Sequence, residues 1–452
     1  MIDVYPFAGY PVAVYGLDEA GLFTARALFA GEAELSAWDE NPANREMAEK
    51  AGITPRDFSS DDLQDFTTLV VSAHAWKNDP AARALATRAK EQNIEVICDV
   101  ELLARTQREA AYVGIAGAHG KSLTAALVTY LLQVTGREAE MAGLSGTSAL
   151  NTDPLGMQGA YVVEMTPFRI AHTVSITFDV AVLLNLENTK NGEAAMPLFH
   201  RQTTPRAAVI CMDDKPSQAI YRKLSKAREQ RIYPFSIKQD LQGGVFVRES
   251  TLYDSFDKGD PVAVMDLSSI PHFAGPHAQA NVAAAFATVR AIGVQPHAAM
   301  AAINSFPGLV DHRETIEKIG GVLYINDAAA SSLECAASSF SGYENIHWIA
   351  GGQGEVNLTT KEPLKNVSER IKGAYLFGEA GLALSEYMKE YLSTVHFSSL
   401  DDAFHKASQA ALKGGAPAVV IYAPGYAGKD TTGGDSFRDL VNAVAGERDD
   451  ED

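Results

Sequence analysis

The sequence has few cysteines, no long apolar run and no excess of positive charge. Its three cysteines are far apart in 452 residues and odd in number, which predicts neither a disulfide framework nor a zinc site and fits a reducing, cytoplasmic compartment. Lys and Arg number 38 against 57 Asp and Glu, and the formal net charge of −19 argues against a nucleic-acid partner. No apolar run approaches the roughly 18–20 residues that span a bilayer, and the first residues lack a basic segment followed by an apolar stretch. We therefore expect neither secretion nor membrane insertion.

Short apolar runs alternate with amphipathic stretches along the whole chain. This alternation predicts an α/β fold with parallel sheets, and the length exceeds what one hydrophobic core usually organises. Breaks in the pattern divide the chain into three domains: a Rossmann-like domain over 1–108, a phosphate-loop ATPase-like domain over 109–309 and a second Rossmann-like domain over 310–452. No pattern in the sequence indicates an oligomeric state.

The first strand-to-helix turn carries part of a dinucleotide-binding fingerprint. Gly16 and Gly21 lie at suitable spacing, and Asp39 ends the second strand. Asp18, however, stands where the second glycine of GxGxxG belongs, and its carboxylate would repel a pyrophosphate. Two interpretations stay open, a domain that contacts a ligand and a purely structural one.

The most specific motif is GIAGAHGKSLTAALVTYLL (114–132), a glycine-rich turn between a strand and an amphipathic helix. Glycines let main-chain N–H groups surround phosphate oxygens at the start of a helix. Lys121 supplies a positive charge for the β- and γ-phosphates, and the Ser122 hydroxyl is a ligand for Mg²⁺. This motif predicts binding of ATP or a close relative.

A magnesium site on bound phosphates also needs a carboxylate. Glu164 ends the strand AYVVE, and the carboxyl ends of parallel strands face the ligand crevice. From position alone, Glu164 is either this ligand or an ordinary surface residue.

The order of motifs resembles the Mur ligases of peptidoglycan synthesis, a cell-wall pathway linked to cell shape and division. The similarity covers residues 111–355 and rests on six elements: GIAGAHGKS, EMTPF (164–168), GPHAQANVAAA (275–285), FPGLVDHRE (306–314), YINDAAASS (324–332) and IAGGQGE (349–355). The N-terminal pattern, with DVELL (99–103), is most similar to the branch that adds D-glutamate to UDP-N-acetylmuramoyl-L-alanine.

This resemblance implies an ATP-dependent carboxylate-amine ligase that forms an acyl phosphate and then an amide. The expected partners are small molecules, namely a UDP-sugar-amino acid and an amino acid. The N-terminal domain would hold the UDP-sugar, the central domain ATP with Mg²⁺, and the C-terminal domain would close over the site with the amino acid.

The resemblance also assigns roles to individual residues. Lys121, Glu164 and Arg313 would act in catalysis, Ser122 and Glu164 would hold the metal, and Thr166 and Asp39 would contact substrate. The residues expected to contact ATP are Gly117, Ala118, His119, Gly120, Lys121, Ser122, Leu123, Asn281, Arg313 and Asp327.

Several positions depart from the family pattern. The family's second-metal histidine and carbamylated lysine have no counterpart in LLNLENTKNGEAAMPLFHRQ (183–202), where Lys190 and His200 are poor substitutes. Ala329 and Glu355 replace two further lysines. In the C-terminal element Gly428 replaces a serine, and Lys429 is either a carboxylate partner or an exposed loop residue.

The expected substrate cleft departs as well. Asp18 and Glu19 occupy its first turn, and Leu144 replaces an asparagine in GLSG (143–146). Three histidines, His74, His119 and His277, are either acid-base groups or hydrogen-bonded structural residues.

Three hypotheses about function follow from these matches and departures. The first is a working D-glutamate-adding ligase. The second is an ATP-binding paralogue with impaired catalysis and a regulatory or assembly role, and the third is a ligase with changed substrates.

Overall fold

The computed structural model describes residues 1–449, apart from 61–62, 145, 187, 258–259, 271–272, 274, 310–313, 331, 341–342, 355–363, 365–366, 390–391 and 427–431. Arg313, Glu355, Gly428 and Lys429 lie outside the described residues. The chain divides into two compact units, Met1–Met265 with Gln279–Ser305, and Asp266–Ala278 with Phe306–Asp452.

The first unit begins with a four-stranded parallel sheet in the order β2-β1-β3-β4. Its elements are β1 (Pro11–Tyr15), α1 (Glu19–Ala30), β2 (Glu34–Trp38), α2 (Pro42–Lys50), β3 (Thr68–Val71), α3 (Ala73–Asn78), α4 (Pro80–Glu91), β4 (Glu95–Ile97) and α5 (Asp99–Thr106).

Two glycines explain how α1 packs back onto β1. Gly16 has φ +95°, and a Cβ there would lie 2.4 Å from the Ser72 hydroxyl oxygen. A Cβ on Gly21 would lie 1.9 Å from the Gly16 carbonyl oxygen. No larger residue fits either position without moving the main chain.

The same unit contains a nine-stranded sheet in the order β13-β12-β11-β10-β9-β8-β5-β7-β6. Strands β5 to β10 run parallel, and β11 and β12 form an antiparallel pair. The first elements are β5 (Ala111–Ala116), α6 (Lys121–Val134), β6 (Ala139–Ala142), β7 (Ala160–Met165), α7 (Pro167–Ala171), β8 (Val180–Leu183), α8 (Thr189–Ala195) and β9 (Ala207–Cys211). They are followed by α9 (Lys215–Ala227), β10 (Arg231–Ser236), β11 (Val245–Arg248), β12 (Thr251–Asp254), β13 (Val262–Asp266), α10 (Pro276–Ile292) and α11 (Pro296–Asn304).

Strand β5 occupies the middle of this sheet, between β7 and β8. In register, Ile115 pairs with Glu164, and Ala116 pairs with Leu183. The turn after β5 therefore leaves the sheet beside Glu164 on one side and beside the end of β8 on the other. Because these strands are covered on both faces, their sequences are nearly continuous apolar runs.

The second unit contains a six-stranded sheet in the order β14-β15-β19-β16-β17-β18, parallel except for the β14–β15 pair. Its elements are β14 (Glu314–Ile319), β15 (Val322–Asn326), α12 (Leu333–Ser339), β16 (Ile346–Gly351), β17 (Ile371–Phe377), α13 (Gly378–Met388), β18 (Thr394–Phe397), α14 (Leu400–Gly414), β19 (Ala418–Tyr422) and α15 (Gly433–Asp449).

The described residues thus form three mainly parallel sheets with helices between the strands, which confirms the predicted α/β class. The predicted boundaries at 108 and 309 stay predictions. Among the helices that the structure describes, none is both long and apolar enough to cross a bilayer.

Candidate active site

The glycine-rich turn follows β5 directly and ends at the first residue of α6. Gly120 precedes the helix in the left-handed conformation, with φ +83° and ψ 0°. A Cβ at this position would lie 2.2 Å from Oδ1 of Asn281. Both the main-chain conformation and the contact with α10 therefore require glycine.

Asn185, just after β8, holds the middle of the turn. The His119 N–H donates to Oδ1 of Asn185 (2.9 Å), and Nδ2 of Asn185 donates to the His119 carbonyl (3.0 Å). The Ala118 N–H donates to the Asn185 carbonyl (3.2 Å). Three hydrogen bonds to one residue fix the course of the turn relative to the sheet.

Lys121 lies at the mouth of the turn. Its ammonium donates to the carbonyls of Gly117 (2.9 Å) and Ala118 (3.3 Å). The positive charge is thus held beside the turn whose N–H groups a phosphate would contact. Leu123, the third residue of α6, is half-buried.

Ser122 and Glu164 form the oxygen pair that the sequence predicts for a metal. The Ser122 hydroxyl donates to Oε2 of Glu164 at 2.9 Å, and Glu164 is only 5% exposed. A hydroxyl and a carboxylate are hard oxygen donors, and Mg²⁺ is usually bound by one or two protein oxygens together with phosphates and water. Within the described part of the chain, no three His, Cys, Asp or Glu side chains gather to hold an ion. These residues therefore fit Mg²⁺ carried on a phosphate ligand.

A cavity of about 880 Å³ in the first unit joins this site to the N-terminal sheet. Lys121, Glu164 and Thr166 line it from the central domain. Asp18 and Ser72 line it from the turns after β1 and β3, and Lys77 lines it from α3. The carboxyl ends of both parallel sheets thus open into one space, which is where ligands bind in open α/β sheets.

Two predicted substrate contacts are placed differently. Thr166 lines the cavity, and its hydroxyl also accepts from the Arg169 N–H (3.3 Å) at the start of α7. Asp39 does not line it. Its carboxylate accepts from the N–H groups of Leu17 (2.6 Å) and Asn41 (2.7 Å), so in this structure it braces the first turn.

The remaining predicted residues lie elsewhere. Asn281 is buried, 8% exposed, beside Gly120 in the first unit. Asp327 is buried in the second unit, where it accepts a hydrogen bond from the Ser339 hydroxyl. Arg313 lies outside the described residues.

The three histidines that the sequence singles out are exposed, and so are some of the described residues that depart from the family pattern. His74 lines the cavity and contacts the Asn78 amide at 3.2 Å, and His277 is exposed. Lys190 and His200 are exposed as well. Leu144 lines the cavity, as expected for the residue that replaces the asparagine.

Sequence reasoning missed the buried ion pair of Asp99 and Arg169, which also lines the cavity. Nη2 of Arg169 lies 2.7 Å from Oδ2 of Asp99, and the two side chains are 4% and 11% exposed. They are 70 positions apart in the chain, in α5 and α7, so no local pattern identifies them as a pair.

Comparison with known proteins identifies the fold and the family. No family model matches the sequence. Among solved structures, UDP-N-acetylmuramate-alanine ligase MurC from Thermotoga maritima covers 96% of this chain with TM-score 0.56 and 13% identity, aligned over 100% of its own length. MurF from Acinetobacter baumannii covers 79% of this chain and 80% of its own, with TM-score 0.53 and 15% identity. The fold is that of the Mur ligases.

Relatives found by sequence identify a particular family within this fold. The UDP-N-acetylmuramoylalanine-D-glutamate ligase of Rhodospirillum rubrum is 32% identical over 98% of this chain and 97% of its own length. The protein of the same name from Paramagnetospirillum magneticum is 33% identical over 98% of each chain. The chain belongs to the UDP-N-acetylmuramoylalanine-D-glutamate ligase family, which confirms the resemblance drawn from the motifs.

Proposed function

We propose that this protein is an ATP-dependent amide ligase that adds D-glutamate to UDP-N-acetylmuramoyl-L-alanine in peptidoglycan precursor synthesis. The observation that carries the proposal is the position of Lys121 and Glu164 on the wall of the cavity that the N-terminal sheet also lines, with Ser122 hydrogen-bonded to Glu164. Full-length relatives that bear this activity in their names support the choice of substrates.

The reaction has two steps. A carboxylate oxygen of UDP-N-acetylmuramoyl-L-alanine attacks the γ-phosphorus of ATP, the bond to the bridging oxygen breaks, and ADP leaves. The amine of D-glutamate then attacks the acyl carbon of the acyl phosphate, inorganic phosphate leaves, and the nitrogen loses a proton. Bound Mg²⁺ supplies charge neutralisation on the phosphates.

The residues of this chain bind and orient the reactants. The Lys121 ammonium and the N–H groups of 117–123 would face the β- and γ-phosphates, and Ser122 and Glu164 would hold the ion. Thr166 would face the substrate in the cavity. We further propose nucleotide contacts for Asn281, Arg313 and Asp327, with Arg313 delivered by the C-terminal domain when substrates are in place.

A second candidate function is ATP binding without ligation. It is favoured by the apolar wall beside the phosphate-binding turn, a small hollow of about 60 Å³ with Met165, Ile170 and Leu186 among its lining residues. Among the described residues that line this hollow, none has a carboxylate or imidazole that could bind a second cation.

The test is to incubate the purified protein with ATP, Mg²⁺, UDP-N-acetylmuramoyl-L-alanine and D-glutamate, and to follow ADP and the condensed product by mass spectrometry. Product that disappears in Lys121→Ala supports the ligase. Binding of ATP that depends on Lys121, with no product, supports the second candidate. Replacing D-glutamate with other amino acids in the same assay tests for changed substrates.

A further inference from the structure

We propose that Arg169 is a positioning residue, which through its buried ion pair with Asp99 sets the Glu164 carboxylate against Ser122 and holds one wall of the substrate cavity. This inference rests on the proposed function, because the metal role of Glu164 is part of that proposal.

The guanidinium of Arg169 uses all five of its N–H donors. Nε donates to Oδ1 of Asp99 (3.1 Å), and Nη2 donates to Oδ2 of Asp99 (2.7 Å) and to the Thr147 carbonyl (3.4 Å). Nη1 donates to the carbonyls of Gly143 and of Glu164, the latter at 3.3 Å. A fully satisfied fork of this kind fixes its five acceptor atoms, which belong to four residues, in one arrangement.

Glu164 and Thr147 line the cavity, as Asp99 does, and Gly143 directly precedes the lining residue Leu144. Glu164 is the penultimate residue of β7. Its main-chain carbonyl accepts a hydrogen bond from Arg169, five residues later in the chain. Gly143 and Thr147 bracket a segment whose Leu144 and Gly146 line the cavity. The same side chain therefore connects the proposed metal ligand with the substrate wall.

The fourth connection is to the N-terminal sheet. Asp99 is the first residue of α5, directly after β4, and its Oδ2 also accepts from the Ala149 N–H (2.9 Å). Over the whole residue, main chain included, Arg169 is 3% exposed and Asp99 is 8% exposed. Burial lowers the pKa of Arg169, but the charge and hydrogen bonds of Asp99, together with smaller contributions from Cys98 and Glu164, raise it on balance.

Lysine cannot replace this arginine. Its single nitrogen has three donors and no planar fork, so at least two of the five donor positions are lost at Arg169→Lys while the charge remains. The carbonyl of Glu164 and the segment 143–147 would then lose a fixed partner, and the Glu164 carboxylate would leave its place beside Ser122.

The chain offers a matched control in the pair of Arg290 and Asp254. Nε of Arg290 donates to Oδ2 of Asp254 at 2.9 Å, with side chains 12% and 9% exposed, in the same unit. Neither residue lines the cavity. Arg290→Lys therefore damages a comparably buried ion pair without touching the site.

The experiment titrates Mg²⁺ against binding of a fluorescent ATP analogue by the full-length protein, with thermal unfolding measured in parallel. We expect Arg169→Lys to raise the Mg²⁺ concentration for half-maximal binding about tenfold, the effect of losing one or two buried hydrogen bonds. Arg290→Lys should lower the unfolding temperature to a similar extent and leave the Mg²⁺ midpoint within about twofold.

Asp99→Asn gives the deciding measurement if Arg169→Lys does not fold, because asparagine keeps the shape and an acceptor oxygen. A Mg²⁺ midpoint that moves no more in the Arg169 or Asp99 variant than in Arg290→Lys overturns the inference. Glu164→Gln separates the two proposals: if it leaves the midpoint unchanged, the metal assignment itself fails, and if it shifts the midpoint while Arg169→Lys does not, only the positioning role fails.

Discussion

Two strand-to-helix junctions of the first unit both turn at a glycine but carry opposite charges. The β1–α1 junction and the β5–α6 junction each follow a parallel strand, each contain a glycine with positive φ, Gly16 and Gly120, and each open into the same cavity. The second begins its helix with Lys121, whereas the first has Asp18 as its N-cap and Glu19 as its first helical residue.

The difference shows that glycines determine the path of the main chain, while the neighbouring side chains decide which ligand charge is accepted. A helix N-terminus favours an anion, and Lys121 adds to that preference. The Asp18 carboxylate counteracts it, and its side chain makes no capping hydrogen bond to α1. We therefore expect phosphate binding to be strong at β5–α6 and weakened at β1–α1.

The largest expected effect is at Lys121. Lys121→Ala should reduce product formation about 10²- to 10³-fold, because the variant removes the charge that we propose faces the transferred phosphate. Product formation measured by mass spectrometry checks this. Lys215→Ala is the control, since Lys215 is also the first residue of a helix but is exposed outside the cavity. Equal activity of the two variants would remove the contrast between the junctions.

The requirement for glycine in both junctions is tested by substitutions. Gly16→Ala and Gly120→Ala should each lower the free energy of unfolding by about 2 kcal/mol or more, because positive φ and a close contact act together. The control is Gly136→Ala, at φ +91° with no atom within 4 Å of a built Cβ, which should cost only about 1 kcal/mol. Denaturant unfolding checks all three variants. Equal losses would show that conformation alone, without contact, requires these glycines.

The charge difference is tested at Asp18. Asp18→Asn should lower the KM for UDP-N-acetylmuramoyl-L-alanine about three- to tenfold, since removal of a carboxylate near a diphosphate relieves repulsion of about 1 kcal/mol. The effect should shrink at high salt. Glu46→Gln, on the exposed face of α2, should leave KM unchanged. A rise in KM would mean instead that Asp18 accepts a hydrogen bond from the substrate.

The smallest effect concerns His172, at the contact between α3 and α7. His172 is 3% exposed and lies 4.9 Å from Trp76 and 4.6 Å from Phe168, ring centroid to ring centroid. Burial lowers its pKa, and the Lys90 ammonium lowers it further, against the opposing effect of the Phe168 carbonyl.

Because the folded protein binds this proton less readily than the unfolded chain, stability should be complete above about pH 6.5 and fall as the pH drops below it. We expect a loss below about 1 kcal/mol between about pH 7.5 and pH 5.5, measured by urea unfolding. His172→Gln should flatten this dependence in the first unit. His347→Gln serves as the comparison, since burial lowers the pKa of His347 in the second unit. An unchanged slope in His172→Gln would contradict the assignment.

Much of the site was predictable because it is local. Gly117 to Leu123 form one contiguous segment, a turn that continues into α6, and the positions of Lys121 and Ser122 follow from the strand before the turn and the helix after it. Glu164 was predictable as the end of a strand, although only the β5–β7 register places it beside Ser122. Asp39 shows what a local pattern cannot distinguish, because a carboxylate at the end of a strand can brace a turn as readily as contact a ligand.

The sequence by itself determined the α/β class, the glycine-rich turn between β5 and α6 and the family, since each depends on spacing along the chain. Only the tertiary structure decided that Asn185 fixes the turn, that Asp18 shares a cavity with Lys121, and that Arg169 pairs with Asp99. The physical reason is that buried charges and polar groups must find partners across the fold, and those partners are chosen by how sheets and helices pack rather than by their distance in sequence.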